Sequence, residues 1–359
     1  MYTGRRVHRF FPLVLHNPLK HTDLLPHSFF ALKDGGQLRY ATFSPSPPPR
    51  GTVLIIPGAR EFIEKKYVER GRPLMERGFR VIIVEPRGQG LSSRFLDGDR
   101  RQRNHIDDFS THIRDLRAFY NEIVSPSLSK PLIIHGHSLG AHIMLRWLAE
   151  DNPSQVDGAF VTAPMVSYSG MAAHMAFYGV SWANARLFGQ ESNYTPMQHD
   201  FGGEDLVFAG NRLTHDENRF RIMENYFKKF PDMASGGVTW GWALAALQSM
   251  GATHTWPYLA RIGIPVLSLT GDQDSITPPS DIGPFMNMIP RVRMHTIAGA
   301  RHDLLNETDD ILAHAWKKID DFLKITMATE RRTPQILYPH PAKQSAGLPE
   351  PKSRIRLMG

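Results

Sequence analysis

Short apolar, mostly β-branched runs recur along the chain at 52–56, 81–84, 132–135, 159–162, 265–270 and 294–297. Their continuity, in place of polar–apolar alternation, predicts strands buried on both faces, as in a parallel sheet covered by helices. Between them the period changes. In 106–123, Ile106, Phe109, Ile113, Leu116, Phe119 and Ile123 share one helical face, and in 141–148 so do Ile143, Met144, Trp147 and Leu148. Strands alternating with such helices predict an α/β fold with a mostly parallel central sheet and helices on both faces. Segments 27–33 and 38–44 flank Asp34-Gly35-Gly36, which predicts an antiparallel hairpin at the start of the sheet.

The stretch 166–258 breaks this rhythm. It has helical patterns and no strong strand, and it is rich in Met and aromatic residues, among them Met175, Trp182, Phe188, Tyr226, Phe227, Trp240 and Trp242. The chain therefore divides into an extension (1–26), a core in two parts (27–165 and 259–327), a helical cap inserted between them (166–258) and a basic tail (328–359). Pro, Lys, Arg and Ser dominate that tail, a composition expected to be disordered.

Composition narrows the chemistry. The 359 residues suffice for a large core without a stapling metal or disulfide. There is no Cys, which excludes disulfides and a thiol nucleophile and fits a reducing compartment. The net charge is +7, but Arg331, Arg332, Lys343, Lys352, Arg354 and Arg356 outnumber Glu330 and Glu350, so more than half of that excess lies in the tail. A mildly basic body does not suggest a nucleic-acid partner. Arg5, Arg6 and Arg9 precede 10–15, an apolar run too short and too broken by Pro12 for a signal peptide. The expected location is cytoplasmic, with peripheral contact to the inner membrane face through the basic, aromatic start.

Candidate chemistry centres on Gly136-His137-Ser138-Leu139-Gly140. G-x-S-x-G is common by chance, so context decides. A buried strand leads in and an amphipathic helix leads out, the setting of a nucleophile elbow. A serine hydroxyl needs a base to take its proton, and in this arrangement the partners follow in the order Ser, acid, His. Asp274 follows the run at 265–270 and is the expected acid, with Asp272 as competitor. His302 follows the last strand and is the expected base. A tetrahedral intermediate also needs two N–H donors: the backbone of Leu139, at a helix N-terminus, and that of Ala59, with Arg60 as fallback.

The set Pro57-Gly58-Ala59-Arg60-Glu61, Arg87-Gly88-Gln89-Gly90-Leu91-Ser92, Gly136-His137-Ser138-Leu139-Gly140, Gly271-x-x-Asp274 and Gly299-Ala300-Arg301-His302-Asp303 resembles the lysophospholipase and monoacylglycerol lipase branch of the α/β-hydrolases. The segment from Asn211-Arg212-Leu213-Thr214-His215 to Gly236-Gly237-Val238-Thr239 is similar to that of the bacterial lysophospholipases. The resemblance spans about 27–325. It implies the triad Ser138, Asp274 and His302, the oxyanion donors Ala59 and Leu139, and a small lipid ester as substrate, with no cofactor and no obligate protein partner. Two positions depart from the branch pattern: Pro57 stands where His is frequent, and Glu85 where Asp is frequent. No H-E-x-x-H or similar cluster suggests a metal, and Arg87-Gly88-Gln89-Gly90 lacks the third Gly of a dinucleotide site. Three rivals remain. A carboxylesterase or thioesterase would use the same triad. An aminopeptidase would need acidic residues such as Glu204 or Asp205 to grip an amine. A non-catalytic binding protein would have no need to keep all three triad positions filled.

Overall fold

The computed structural model describes residues 23–329 apart from 47, 167–170, 203, 204 and 206. Most of the expected N-terminal extension and of the basic tail therefore lies outside the described residues. Eight strands form one sheet: β1 (Ser28–Ala31), β2 (Gln37–Phe43), β3 (Thr52–Ile56), β4 (Arg80–Val84), β5 (Leu132–His137), β6 (Val156–Thr162), β7 (Val266–Gly271) and β8 (Val292–Ile297). Their spatial order is β1-β2-β4-β3-β5-β6-β7-β8. β1 and β2 pair antiparallel, as the Asp34-Gly35-Gly36 turn predicts, and β2 pairs antiparallel with β4; the remaining pairs are parallel.

Alternation along the strands sorts the core into two layers. On one face Leu54, Ile56, Ile82, Leu132 and Ile134 meet α3 (Ser110–Phe119) and α4 (Leu139–Asp151). On the other, Val53, Ile55, Val81 and Ile133 meet the short helices α1 (Ile63–Lys66) and α2 (Arg72–Glu76) and the terminal α9 (Asp309–Thr329), which brings Trp316, Ile319 and Phe322. β8 departs from expectation. It is an edge strand with Arg293, Met294 and Thr296 exposed, so its apolar run does not mean burial on both faces.

Between β6 and β7 run α5 (Met171–Trp182), α6 (Glu217–Lys229) and α7 (Trp240–Thr253), with α8 (Pro279–Met286) following β7. α7 is not a separate layer. Trp242, Ala246, Leu247 and Met250 join the core of the first face, and Trp242 meets Phe109 edge-on at 5.6 Å. α6 instead packs Ile222, Tyr226 and Phe227 around Phe62. Met175 (66% exposed), Leu187 (65%) and Phe188 (61%) face outward, and Trp182 is also exposed.

Candidate active site

The tight passage from β5 to α4 places Ser138. Its φ of 49° and ψ of −115° are costly for a side chain with a Cβ and persist only where the surroundings impose them. The flanking glycines allow the approach. A Cβ on Gly140 would stand 2.2 Å from Ile56 O, and one on Gly136 2.6 Å from Ala141 Cα. The Ser138 N–H donates to Thr162 O at 3.1 Å, and its carbonyl accepts from His142 and Met165.

Two other loops meet it. His302, on the loop after β8, sets Nε2 3.1 Å from Ser138 Oγ. Its Nδ1 lies 2.8 Å from Asp274 Oδ2, on the loop after β7. A carboxylate at Nδ1 fixes the tautomer with the proton there and leaves Nε2 free to accept the hydroxyl proton. Asp274 also accepts the N–H groups of Ile276 and Thr277 at Oδ1 (2.8 and 2.9 Å), while Thr277 Oγ1 donates to Oδ2 at 2.8 Å. Burial pushes the Asp274 carboxyl up, but His302 and these Thr277 bonds outweigh burial and hold it below its ordinary value. Asp272, the competing acid, points elsewhere and accepts the Gly299 N–H at 2.7 Å.

The candidate oxyanion donors also separate. Leu139 is the first residue of α4, where first-turn N–H groups have no acceptor within the helix. The Ala59 N–H has no partner among the described residues, whereas the Arg60 N–H donates to Gln89 Oε1 at 2.7 Å. Arg60 is thus not a free donor, and the fallback assignment is corrected. Gln89 in turn donates to Asn104 Oδ1 at 2.8 Å, and Asn104 Nδ2 donates to Gly236 O at 2.6 Å. The Arg87–Ser92 loop therefore braces the turn that carries Ala59.

The segment between β6 and β7 reaches the same loops. His302 and Asp303 donate their N–H groups to Arg212 O (3.4 Å) and Leu213 O (2.9 Å), and Arg212 Nε donates to Ser275 Oγ at 2.8 Å. Asp205 pairs with Arg60 at 2.8 Å; Glu204 lies outside the described residues. Glu61, His137 and Asp303 bring ligand-type atoms within 4.8 Å of one another. The ammonium groups of Lys65 and Lys66 already contact both carboxylates.

Sequence reasoning missed Thr277, Gln89 and Glu61. Thr277 left one signal, an Asp three residues before it whose side chain caps the following turn. Gln89 and Glu61 stand within the motifs quoted above, but their partners come from chain crossings that no local pattern marks.

The strand order and the strained turn at Ser138 define an α/β-hydrolase. The chain belongs to the family described as "Serine aminopeptidase, S33", which matches residues 47–309. It is 22% identical to the probable lysophospholipase L2 of Haemophilus influenzae over 84% of this chain and 93% of that protein. Its identity to the lysophospholipase L2 of Escherichia coli K12 is 27%, over 75% and 79%. Among solved structures, a soluble variant of the monoglyceride lipase of Saccharomyces cerevisiae, in complex with a substrate analog, superposes with a TM-score of 0.65. That match has 18% identity and covers 85% of this chain and 98% of the lipase. Among the described residues no helix is long and apolar enough to cross a membrane.

Proposed function

We propose that the protein is a serine hydrolase that cleaves carboxylic esters of single-acyl-chain lipids, lysophospholipids or monoacylglycerols. The observation that carries this reading is the hydrogen-bonded chain Ser138–His302–Asp274, assembled from three loops at one end of the sheet. Ser138 Oγ attacks the ester carbonyl carbon and passes its proton to His302 Nε2. The carbonyl oxygen, now negative, is held by the N–H groups of Ala59 and Leu139. The C–O bond breaks and the departing alcohol takes the proton from His302. A water then gives a proton to His302 and attacks the acyl-enzyme, the fatty acid leaves, and Ser138 recovers its proton. Asp274 orients the imidazole and stabilises its charged form throughout.

The lipid substrate class rests on the lysophospholipases and the monoglyceride lipase that the chain resembles. The family description points instead to peptide substrates. Against these stands the engagement of Asp205 by Arg60, which removes the described acid that would grip a substrate amine. The exposed Met175, Trp182, Leu187 and Phe188 support a helical cap that meets a lipid surface. A panel of lysophosphatidylcholine, monoacylglycerol, short p-nitrophenyl esters and aminoacyl amides tests the reading. Highest kcat/KM on the first two supports it, and preference for the amides overturns it.

A further inference from the structure

Behind Ser138 and His302 lies a charge cluster that this reaction leaves unused. Glu61, Glu69 and Asp303 face Lys65, Lys66 and Arg70, and all six side chains are buried. Lys65 Nζ lies 2.6 Å from Asp303 Oδ2, 2.8 Å from Glu69 Oε1 and 3.3 Å from Glu61 Oε1. Arg70 donates to Asp303 Oδ1 at 2.9 Å, and Lys66 bonds Glu69 at 2.5 Å and contacts Glu61. His137, beside the nucleophile, sets Nε2 3.9 Å from both Glu61 Oε1 and Asp303 Oδ1. Burial pushes its imidazole down to about 3, so it enters the cluster neutral. Three carboxylates thus balance three cations.

Burying six charges is expensive even when they are paired, and apolar residues of similar volume commonly serve stability as well or better. What such residues could not supply is the cluster's geometry. With His137 the cluster borders three of the four segments that carry the site: Glu61 two residues after Ala59, His137 just before Ser138, and Asp303 just after His302. Glu61 Oε2 also accepts the Gly58 N–H at 2.5 Å and so fixes the chain immediately before Ala59. Its other oxygen belongs to the ion cluster.

We propose that Glu61 is a positioning residue: it aims the Ala59 N–H by gripping Gly58, and it locks that turn to the His302 loop through Lys65 and Asp303. This rests on the serine-hydrolase reading above, because aiming the Ala59 amide matters only if an oxyanion forms there. Burial opposes ionisation of Glu61, yet Lys66 and Lys65 outweigh it and keep the carboxylate charged.

The test compares the full chain with Glu61→Met, with the charge-balanced Glu61→Met/Lys66→Met pair and with Glu61→Gln. Thermal unfolding, kcat and KM on a short p-nitrophenyl ester, and the rate of fluorophosphonate labelling are followed. Glu61→Met leaves one cation unpaired and is destabilised; the pair regains most of that stability. Its kcat nevertheless stays about 100-fold down with KM within threefold, and labelling slows in parallel, because misaiming one oxyanion donor costs about that much. Recovery of kcat together with stability overturns the proposal. Glu61→Gln keeps an acceptor for Gly58 and retains kcat within about tenfold. A folded Gln variant that loses about 100-fold overturns the proposal even if neither Met variant folds. An unmodified chain without esterase activity, or an active Ser138→Ala chain, sinks the serine-hydrolase reading itself.

Discussion

Asp272 and Asp274, two positions apart on one turn, serve different loops: Asp272 accepts the Gly299 N–H at 2.7 Å, whereas Asp274 holds His302 Nδ1 at 2.8 Å. Substituting each separately with Asn separates their roles. Asp274→Asn lowers kcat about 10⁴-fold, because the amide favours the wrong imidazole tautomer. Asp272→Asn stays within about tenfold of the unmodified chain, since its amide oxygen can still accept the Gly299 N–H and the site is exposed. Steady-state kinetics on a p-nitrophenyl ester reads both, and equal losses refute the assignment of the acid.

Thr277 completes the hold on Asp274 through Oγ1, which also lies 3.3 Å from His302 Nδ1. Thr277→Val keeps the shape and removes that donor. The expected result is a fall in kcat of about tenfold with little change in KM, the size of one lost hydrogen bond to a charged group. A change confined to KM would assign Thr277 to substrate binding instead.

Gly140 tests the packing that the elbow demands. A Cβ there meets Ile56 O at 2.2 Å and Pro57 O at 2.4 Å, both backbone atoms that cannot swing aside. Gly140→Ala is expected to cost about 3 kcal/mol, the upper end for overpacking a filled core. Urea unfolding measures it, and a loss below about 1 kcal/mol would mean that β3 and α4 do not lie this close.

Two groups of carboxyls give opposite pH dependence. Glu61 and Asp303 are held below their ordinary values, with neighbouring cations outweighing burial. In acid the unfolded chain takes up their protons first, so the stability they confer is present above pH about 4 and lost as pH falls further. Glu85 is reversed. Burial, with Glu64 adding to it against the pull of Arg39, pushes its carboxyl up to about 7. The fold there binds the proton more tightly than the unfolded chain does, so stability falls as pH rises from about 4.5 and levels off above about 7. Melting curves from pH 4 to 9 on the unmodified chain and Glu85→Gln check this. The difference should move in favour of Gln between about pH 5 and 7, and a flat difference contradicts the shift.

The strands, the hairpin, and the strand–turn–helix setting of Ser138 were legible because each is written locally, in apolar period and in glycine placement. His302 was legible by its position after the last strand. The place of Asp274 past the strand end favours it over Asp272, but the sequence leaves Asp272 as a competitor because the choice depends on which way one turn faces. Glu61 was hidden for a different reason. Glu64, Lys65, Lys66, Glu69 and Arg70 alternate in sign as a solvated helix surface does, yet all are buried. Glu64 pairs with Arg39 from β2, and Lys65, Lys66 and Arg70 pair with Asp303 from after β8. β8 misled in the reverse sense: an apolar run is compatible with an edge where the sheet simply ends.

The two backbone hydrogen bonds from His302 and Asp303 to Arg212 and Leu213 have a mechanical consequence. The segment between β6 and β7 is stitched to the backbone of the very residue that would carry the proton. A displacement of Arg212 and Leu213 would break these bonds and leave the imidazole held by only one of the two loops that now fix it, through Asp274. Any movement at Arg212 and Leu213 would therefore pull directly on the backbone of the proposed base.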